Sequence, residues 1–200
     1  GYNGRILVYN RFKDQIKLLD NDGYVLLRDV YSPSLMTAIL HEWDEKRCVF
    51  ERYQAKNGVA QDTLNTSHHT SLVCRRMLDL VEANRLTEFC SEFFCGPYIL
   101  NTMGLSEIRC DSQTYTQKIH RDVRSLWGAN KLWLNTLVMV TDSTPENGAT
   151  WVLPGSQELR DAPSRQEFQE GAVQICGKAG DVLIFNGWVW HSAGENQTSD

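Results

Sequence analysis

Two histidines and one carboxylate carry the most specific chemistry in this chain. His120-Arg121-Asp122 sets an imidazole and a carboxylate two residues apart, a spacing that on a strand projects both from one face. Far along the chain, His191 closes the segment GDVLIFNGWVWH. Two imidazoles and one carboxylate on one face of a metal ion, with the remaining positions open, form the facial triad of non-haem Fe(II) chemistry. The open positions admit a cosubstrate and dioxygen. An H-x-D pair also arises by chance, as a strand histidine beside a surface aspartate, so the surrounding elements decide its meaning.

Those elements divide the chain near Pro97. Before it the texture is helical. Phe12, Ile16 and Leu19 share one face and Gly23 supplies a stop, after which Tyr24-Val25-Leu26-Leu27 reads as a short strand. Ser32-Pro33 offers an N-cap with proline at the first helical position, and Met36, Ile39, Leu40 and Trp43 continue an apolar stripe. Residues 53–69 are polar and aperiodic and are expected to form a loop. A second helical stretch over 71–94 is stopped at Gly96-Pro97. After Pro97, segments 98–110, 111–120, 131–140, 148–155, 172–176 and 180–191 are rich in β-branched and aromatic residues, with Gly, Pro, Asn and Asp between them. That pattern predicts an antiparallel sandwich or barrel with the helices outside it.

The residues from Gln117 to Asp200 go further. QKIHRDV, LWLNTLVMVTDSTPENGATWVLPGSQ and GDVLIFNGWVWHSAGENQTSD resemble the phytanoyl-CoA dioxygenase-like family of Fe(II)/2-oxoglutarate-dependent oxygenases, with H-x-D, P-E-N-G, P-G-S, the G-D-V strand and the closing histidine in the family's order. The stretch GYVLLRDVYSPSLM is similar to that family's start. The resemblance implies an α+β, mainly β fold: a double-stranded β-helix, or jelly roll, with N-terminal helices packed outside. One domain over 1–200 is expected, helix-rich to residue 96 and jelly roll from 97. His120, Asp122 and His191 would be the iron ligands, and the cofactors Fe(II), 2-oxoglutarate and O2. The chemistry implied is oxidative decarboxylation to succinate and CO2, coupled to oxidation of an unactivated C–H. A carboxylate at position 122, where related halogenases have Gly or Ala, favours hydroxylation, desaturation or ring closure over halogenation.

Gln117, Asn135, Thr102 and Ser192 are candidates for binding the cosubstrate, and Trp127, Arg121 and Lys118 for meeting the substrate. In this family an arginine about eleven residues beyond the distal histidine pairs with the far carboxylate of 2-oxoglutarate. That position falls past Asp200, so the 200 residues are expected to end short of it. Arg109, Lys118, Arg121, Arg124 and Lys131 gather near the H-x-D segment of an otherwise acidic chain. They are an ordinary solvated face or a rim for an anionic small molecule. Trp188 and Trp190, on a regular strand of opposite parity to His191, read as core. His68-His69 would make a poor chelate, because adjacent residues of an extended chain point apart.

Composition sets the outer bounds. With 20 Lys+Arg against 25 Asp+Glu the 200-residue chain carries a formal charge of −5, which argues against nucleic-acid or anionic-membrane partners. No apolar run approaches the roughly 18 residues of a spanning helix, and the first residues lack a signal-peptide core, so a cytoplasmic protein is expected. Six irregularly spaced cysteines read as buried thiols rather than disulfides. Two other readings stay open: a cupin-like metalloenzyme that does not use 2-oxoglutarate, and a non-catalytic small-molecule-binding jelly roll. No feature of the chain sets an oligomeric state.

Overall fold

A computed structural model describes residues 11–125 and 131–199. Helix α1 (Lys13–Asp22) ends where Gly23 turns left-handed at φ 80° and donates to Leu19 O. Added bulk at Gly23 would meet Gln157 and Val189 at 2.3 Å, so the turn also lets the chain pass close to the β unit. Strand β1 (Tyr24–Leu27) follows, then α2 (Pro33–Lys56), whose N-cap Ser32 accepts from Leu35 N. Met36, Ile39, Trp43 and Phe50 of α2 are buried, a three-and-four spacing that defines one inward stripe.

The expected loop over 53–69 is corrected at both ends. Helix α2 runs on to Lys56, and Thr66–His68 forms strand β2, paired antiparallel with β3 (Gly104–Ser106). Strand β2 contains no apolar residue, so no periodicity announces it; its long-range partner stabilises it. The helical stretch after it divides into α3 (Arg75–Glu82) and α4 (Thr87–Phe94), with Asn84 left-handed at the break. The Glu42 carboxylate of α2 accepts from the free backbone N–H groups of Arg75 and Arg76, at 3.0 and 2.6 Å, and caps α3 from a neighbouring helix.

The β unit contains two three-stranded antiparallel sheets. One has the order β1-β7-β4, with β4 at Leu134–Val138 and β7 at Val182–Asn186; the other has the order β6-β5-β8, from Val173–Ile175, Thr150–Val152 and His191–Ser192. A short helix α5 (Arg165–Gly171) connects β5 to β6. Alternation along β7 explains the layering. Leu183 and Phe185 join Met139, Val152, Ile175 and Val189 in a cluster that links the two sheets, while Val182 and Ile184 join the helices' cluster with Leu19, Met36, Ile39 and Trp43. A strand buried on both faces reads as an unbroken apolar run, as Val-Leu-Ile-Phe does here. This is the jelly roll with helices outside it.

Several expected strands shorten, so helix outweighs strand among the described residues. Segment 98–110 keeps only β3, and 111–120 becomes a 3-10 turn at Tyr115–Gln117 followed by a bridge at His120. Segment 180–191 is two strands in different sheets. Between them Asn186 Oδ1 accepts from Trp188 N at 3.0 Å and its carbonyl accepts from Val189 N at 3.0 Å, turning the chain from one sheet to the other. The expectation for the cysteines holds for Cys74; Cys90 and Cys176 are half-buried and Cys48, Cys95 and Cys110 exposed, all as free thiols.

Candidate metal centre

Backbone pairing brings the two distant histidines together. His120 N donates to His191 O at 3.0 Å and His191 N donates back to His120 O at 2.9 Å. Residues that exchange both bonds across an antiparallel pair project to the same face, and their rings lie 4.3 Å apart. On its other side His191 pairs with Val152 of β5. Asp122 follows His120 by two residues, and Val123 N holds the segment to Gly187 O at 2.9 Å. His120 Nε2 stands 3.6 Å from Asp122 Oδ1, and His191 Nε2 stands 3.8 Å from Asp122 Oδ2. Among the described residues, these three make the group of side chains able to hold a metal ion, with ligand atoms within 4.8 Å of one another.

The tautomers are fixed by the backbone. His120 Nδ1 is 2.7 Å from Lys118 O and His191 Nδ1 is 3.0 Å from Val189 O. A carbonyl only accepts, so both Nδ1 atoms carry a proton, and Nε2, turned toward the carboxylate, is the nitrogen left for ligation in each ring. Burial lowers the His191 pKa, the neighbouring His120 lowers it further, and Asp122 opposes them; the net effect favours the neutral, ligating imidazole. Phe185, with its ring 4.7 Å from His191, covers that side. Asp122 is more open, at 38% side-chain exposure. Its Oδ2 accepts from Asn135 Nδ2 at 2.8 Å, and Asn135 Oδ1 accepts from Trp133 Nε1 at 2.9 Å. Two imidazoles with Nε2 left for ligation and a carboxylate, each oriented by a second contact, fit a divalent first-row metal such as Fe(II).

The other sequence candidates occupy varied positions. Asn135 meets Asp122 directly. Gln117 bonds the backbone at both ends of its amide, accepting from Thr114 N at 2.8 Å and donating to Gly194 O at 3.1 Å. Ser192 is buried in β8 opposite Trp151. Thr102 is exposed, two residues before β3. Arg121 donates to Leu159 O and Arg160 O, both at 3.1 Å, and lies over the Trp190 ring at 5.1 Å, tying the 159–160 segment to the histidine strands. Lys118 is exposed and lends its carbonyl to His120. Trp127 lies outside the described residues.

The basic cluster is partly dispersed, since Arg109 forks onto Asp111 and Lys131 pairs with Asp20. Arg121 and Arg124, with Ile119, His120 and Trp190, line a depression of about 350 Å³. Trp188 is buried, its indole N–H donating to Ser125 O at 3.2 Å, and His68 and His69 are exposed at the end of β2. Sequence reasoning missed Tyr115. Partial burial raises its phenol pKa and the charge of Asp122 raises it further, while the residue stays 41% exposed. Its only sequence signal is an aromatic five residues before the H-x-D histidine.

The family model described as Phytanoyl-CoA dioxygenase (PhyH) matches residues 19–200. Dioxygenase trt7 of Aspergillus terreus is 27% identical over 205 aligned residues, covering 94% of this chain and 69% of trt7. Among solved structures, EctD from S. alaskensis with 2-oxoglutarate and 5-hydroxyectoine superposes with a TM-score of 0.71 at 18% identity, covering 99% of this chain and 74% of EctD. The non-heme alpha ketoglutarate dependent carbocyclase SnoK from nogalamycin biosynthesis gives 0.69 at 19% identity, with 99% and 83% covered. With the H-x-D and distal histidine joined in one cluster on a jelly roll, the match over residues 19–200 places this chain in the phytanoyl-CoA dioxygenase (PhyH) family.

Proposed function

We propose that the protein is an Fe(II)/2-oxoglutarate-dependent oxygenase that hydroxylates a small molecule, with His120, Asp122 and His191 as the iron ligands. The observation that carries this reading is the convergence of two Nε2 atoms and one carboxylate, with both Nδ1 protons held by backbone carbonyls. Bound iron, 2-oxoglutarate and dioxygen supply the oxidising chemistry, with succinate and CO2 released. The chain's residues do the rest. Phe185 and the β5–β8 pairing keep water from His191, while the exposed side of Asp122 leaves an approach for reactants. Asp122 fills with a carboxylate the position that a halide would need, which favours hydroxylation over halogenation. Ser192, Gln117 and Thr102 are the proposed cosubstrate contacts. Arg121 and Arg124 beside His120 support an anionic substrate.

EctD was solved with 5-hydroxyectoine and SnoK is described as a carbocyclase, so one scaffold serves more than one oxidation, and hydroxylation is the reading to test. Anaerobic Fe(II) binding comes first, then the visible charge-transfer band on adding 2-oxoglutarate, then Fe(II)-dependent succinate release over a panel of carboxylate-bearing and neutral compounds. Asp122→Ala should lose turnover while keeping the far-UV spectrum of the folded chain. A wild-type protein that binds no Fe(II) at any pH between 6 and 8 would refute the proposal. Metal binding without the 2-oxoglutarate band would move it to a cupin-like metalloenzyme.

A further inference from the structure

A chain of two hydrogen bonds ends on the carboxylate of the metal centre. Trp133 Nε1 donates to Asn135 Oδ1 at 2.9 Å, and Asn135 Nδ2 donates to Asp122 Oδ2 at 2.8 Å. An indole N–H only donates, so the amide oxygen of Asn135 must face Trp133 and its NH2 group must face Asp122. Trp133 thereby decides the amide orientation. Asn135 itself is seated in β4 opposite Phe185 of β7, the strand whose ring covers His191, so the donor comes from a rigid element. Oδ2, which carries the amide N–H, stands 3.8 Å from His191 Nε2, and Oδ1 stands 3.6 Å from His120 Nε2, so the amide bond sets how the carboxylate meets both imidazoles.

We propose that Asn135, oriented by Trp133, is a positioning residue that fixes the direction in which the Asp122 carboxylate faces the two imidazoles. Without the amide the half-exposed carboxylate is free to turn about its side-chain bonds, and the set of three ligand groups loses its fixed geometry. This role rests on the reading of His120, Asp122 and His191 as a metal centre, and it differs from direct contact with the cosubstrate.

The test uses Co(II) as the probe metal, without 2-oxoglutarate, on the whole chain. Affinity is measured by calorimetry, and the visible ligand-field bands report the coordination of the bound ion. Asn135→Ala should weaken Co(II) binding about 10- to 100-fold, the usual effect of removing an outer-shell partner, and should shift the bands. Trp133→Phe frees the amide without deleting it and should give a smaller loss with the same band shift. A merely structural role would lower the melting temperature of the metal-free variants and leave the bands of bound Co(II) as in the wild type. Unchanged bands in both variants overturn the inference. If, in a separate titration with 2-oxoglutarate, Asn135→Ala weakens binding of that acid to the Co(II) protein with metal affinity intact, Asn135 is a cosubstrate contact: the inference falls and the metal centre stands. A wild-type chain that binds no Co(II) removes the metal centre itself.

Discussion

Asp181 immediately precedes β7, and replacing it by asparagine should cost about 3 kcal/mol of stability at neutral pH. The side chain is 2% exposed. Its Oδ1 accepts from Asp29 N at 2.9 Å, and its Oδ2 from Lys178 N at 2.9 Å and Arg28 Nη1 at 2.8 Å. An asparagine that keeps its oxygen on the Oδ2 side turns an NH2 group toward the Asp29 N–H, leaving a donor unpaired at about 1–3 kcal/mol. Asp29 also loses the contact that holds its left-handed backbone, at φ 53°. The two remaining bonds fall from charge-assisted to neutral strength, at roughly 0.5–1 kcal/mol each, with the Arg28 share reduced because that side chain is largely in water. About 3 kcal/mol is a large part of a typical net stability of roughly 5–15 kcal/mol, and for a chain of this length corresponds to about 6–12 °C in Tm.

Urea unfolding of wild type and Asp181→Asn across pH separates this account from a simple packing loss. Burial alone would raise the Asp181 pKa, but the N–H groups of Lys178 and Asp29 and the Arg28 guanidinium outweigh it, and the net shift is downward. A carboxylate depressed in the folded state contributes stability above its unfolded pKa of about 3.9 and loses it as pH falls through the folded value. The gap between wild type and variant should thus be largest near pH 7 and close as pH drops below about 4, where protonated aspartate resembles asparagine. A gap under about 1 kcal/mol at pH 7, or one that stays constant down to pH 3, refutes the reasoning.

Gly180→Ala should unfold the neighbouring turn, because a Cβ there would stand 2.1 Å from Tyr31 O and the residue sits at φ 98°; a loss of about 3 kcal/mol or more is expected in thermal melts. Phe185→Ala should cost about 3–5 kcal/mol by opening a core cavity, and should also loosen metal binding through His191, read as a lower Tm together with a weaker Co(II) affinity. With burial and His120 both lowering the His191 pKa, its imidazole resonances should titrate with a midpoint below 6.5 in the metal-free protein. Because the unfolded chain then binds the proton first, this residue's contribution makes stability fall on acidification below about pH 6.5; a midpoint above 7 by NMR contradicts it.

The chemistry was easier to read in the chain than the framework that sets its geometry. His120 and Asp122 are legible because their spacing matches the period of an extended strand. The β7 run is legible because burial on both faces leaves only apolar residues. Strand β2 is not, since Thr-Ser-His carries no pattern and its pairing partner lies almost forty residues away in β3. The division of 180–191 was hidden by a dense apolar run, although Asn186-Gly187 is a recognised turn signal that outranks it. Asn135 was legible as a polar residue on a β-strand, yet its partner Asp122 follows only from the register of β4 against β7. The locked Nδ1 atoms also escape the sequence: both acceptors are main-chain carbonyls, two residues before each histidine.

The reciprocal main-chain bonds between His120 and His191 have a consequence for how such a protein can change. The separation of the two imidazoles is set by a ladder rung, so the lengths of the intervening loops do not enter it. Connections such as the one carrying α5 between β5 and β6 can lengthen, shorten or be exchanged with little closure penalty, while the reactive core keeps its dimensions. For an engineer this separates retargeting from catalysis. New compounds can be pursued by grafting loops, with the histidine rung left untouched as a fixed gauge.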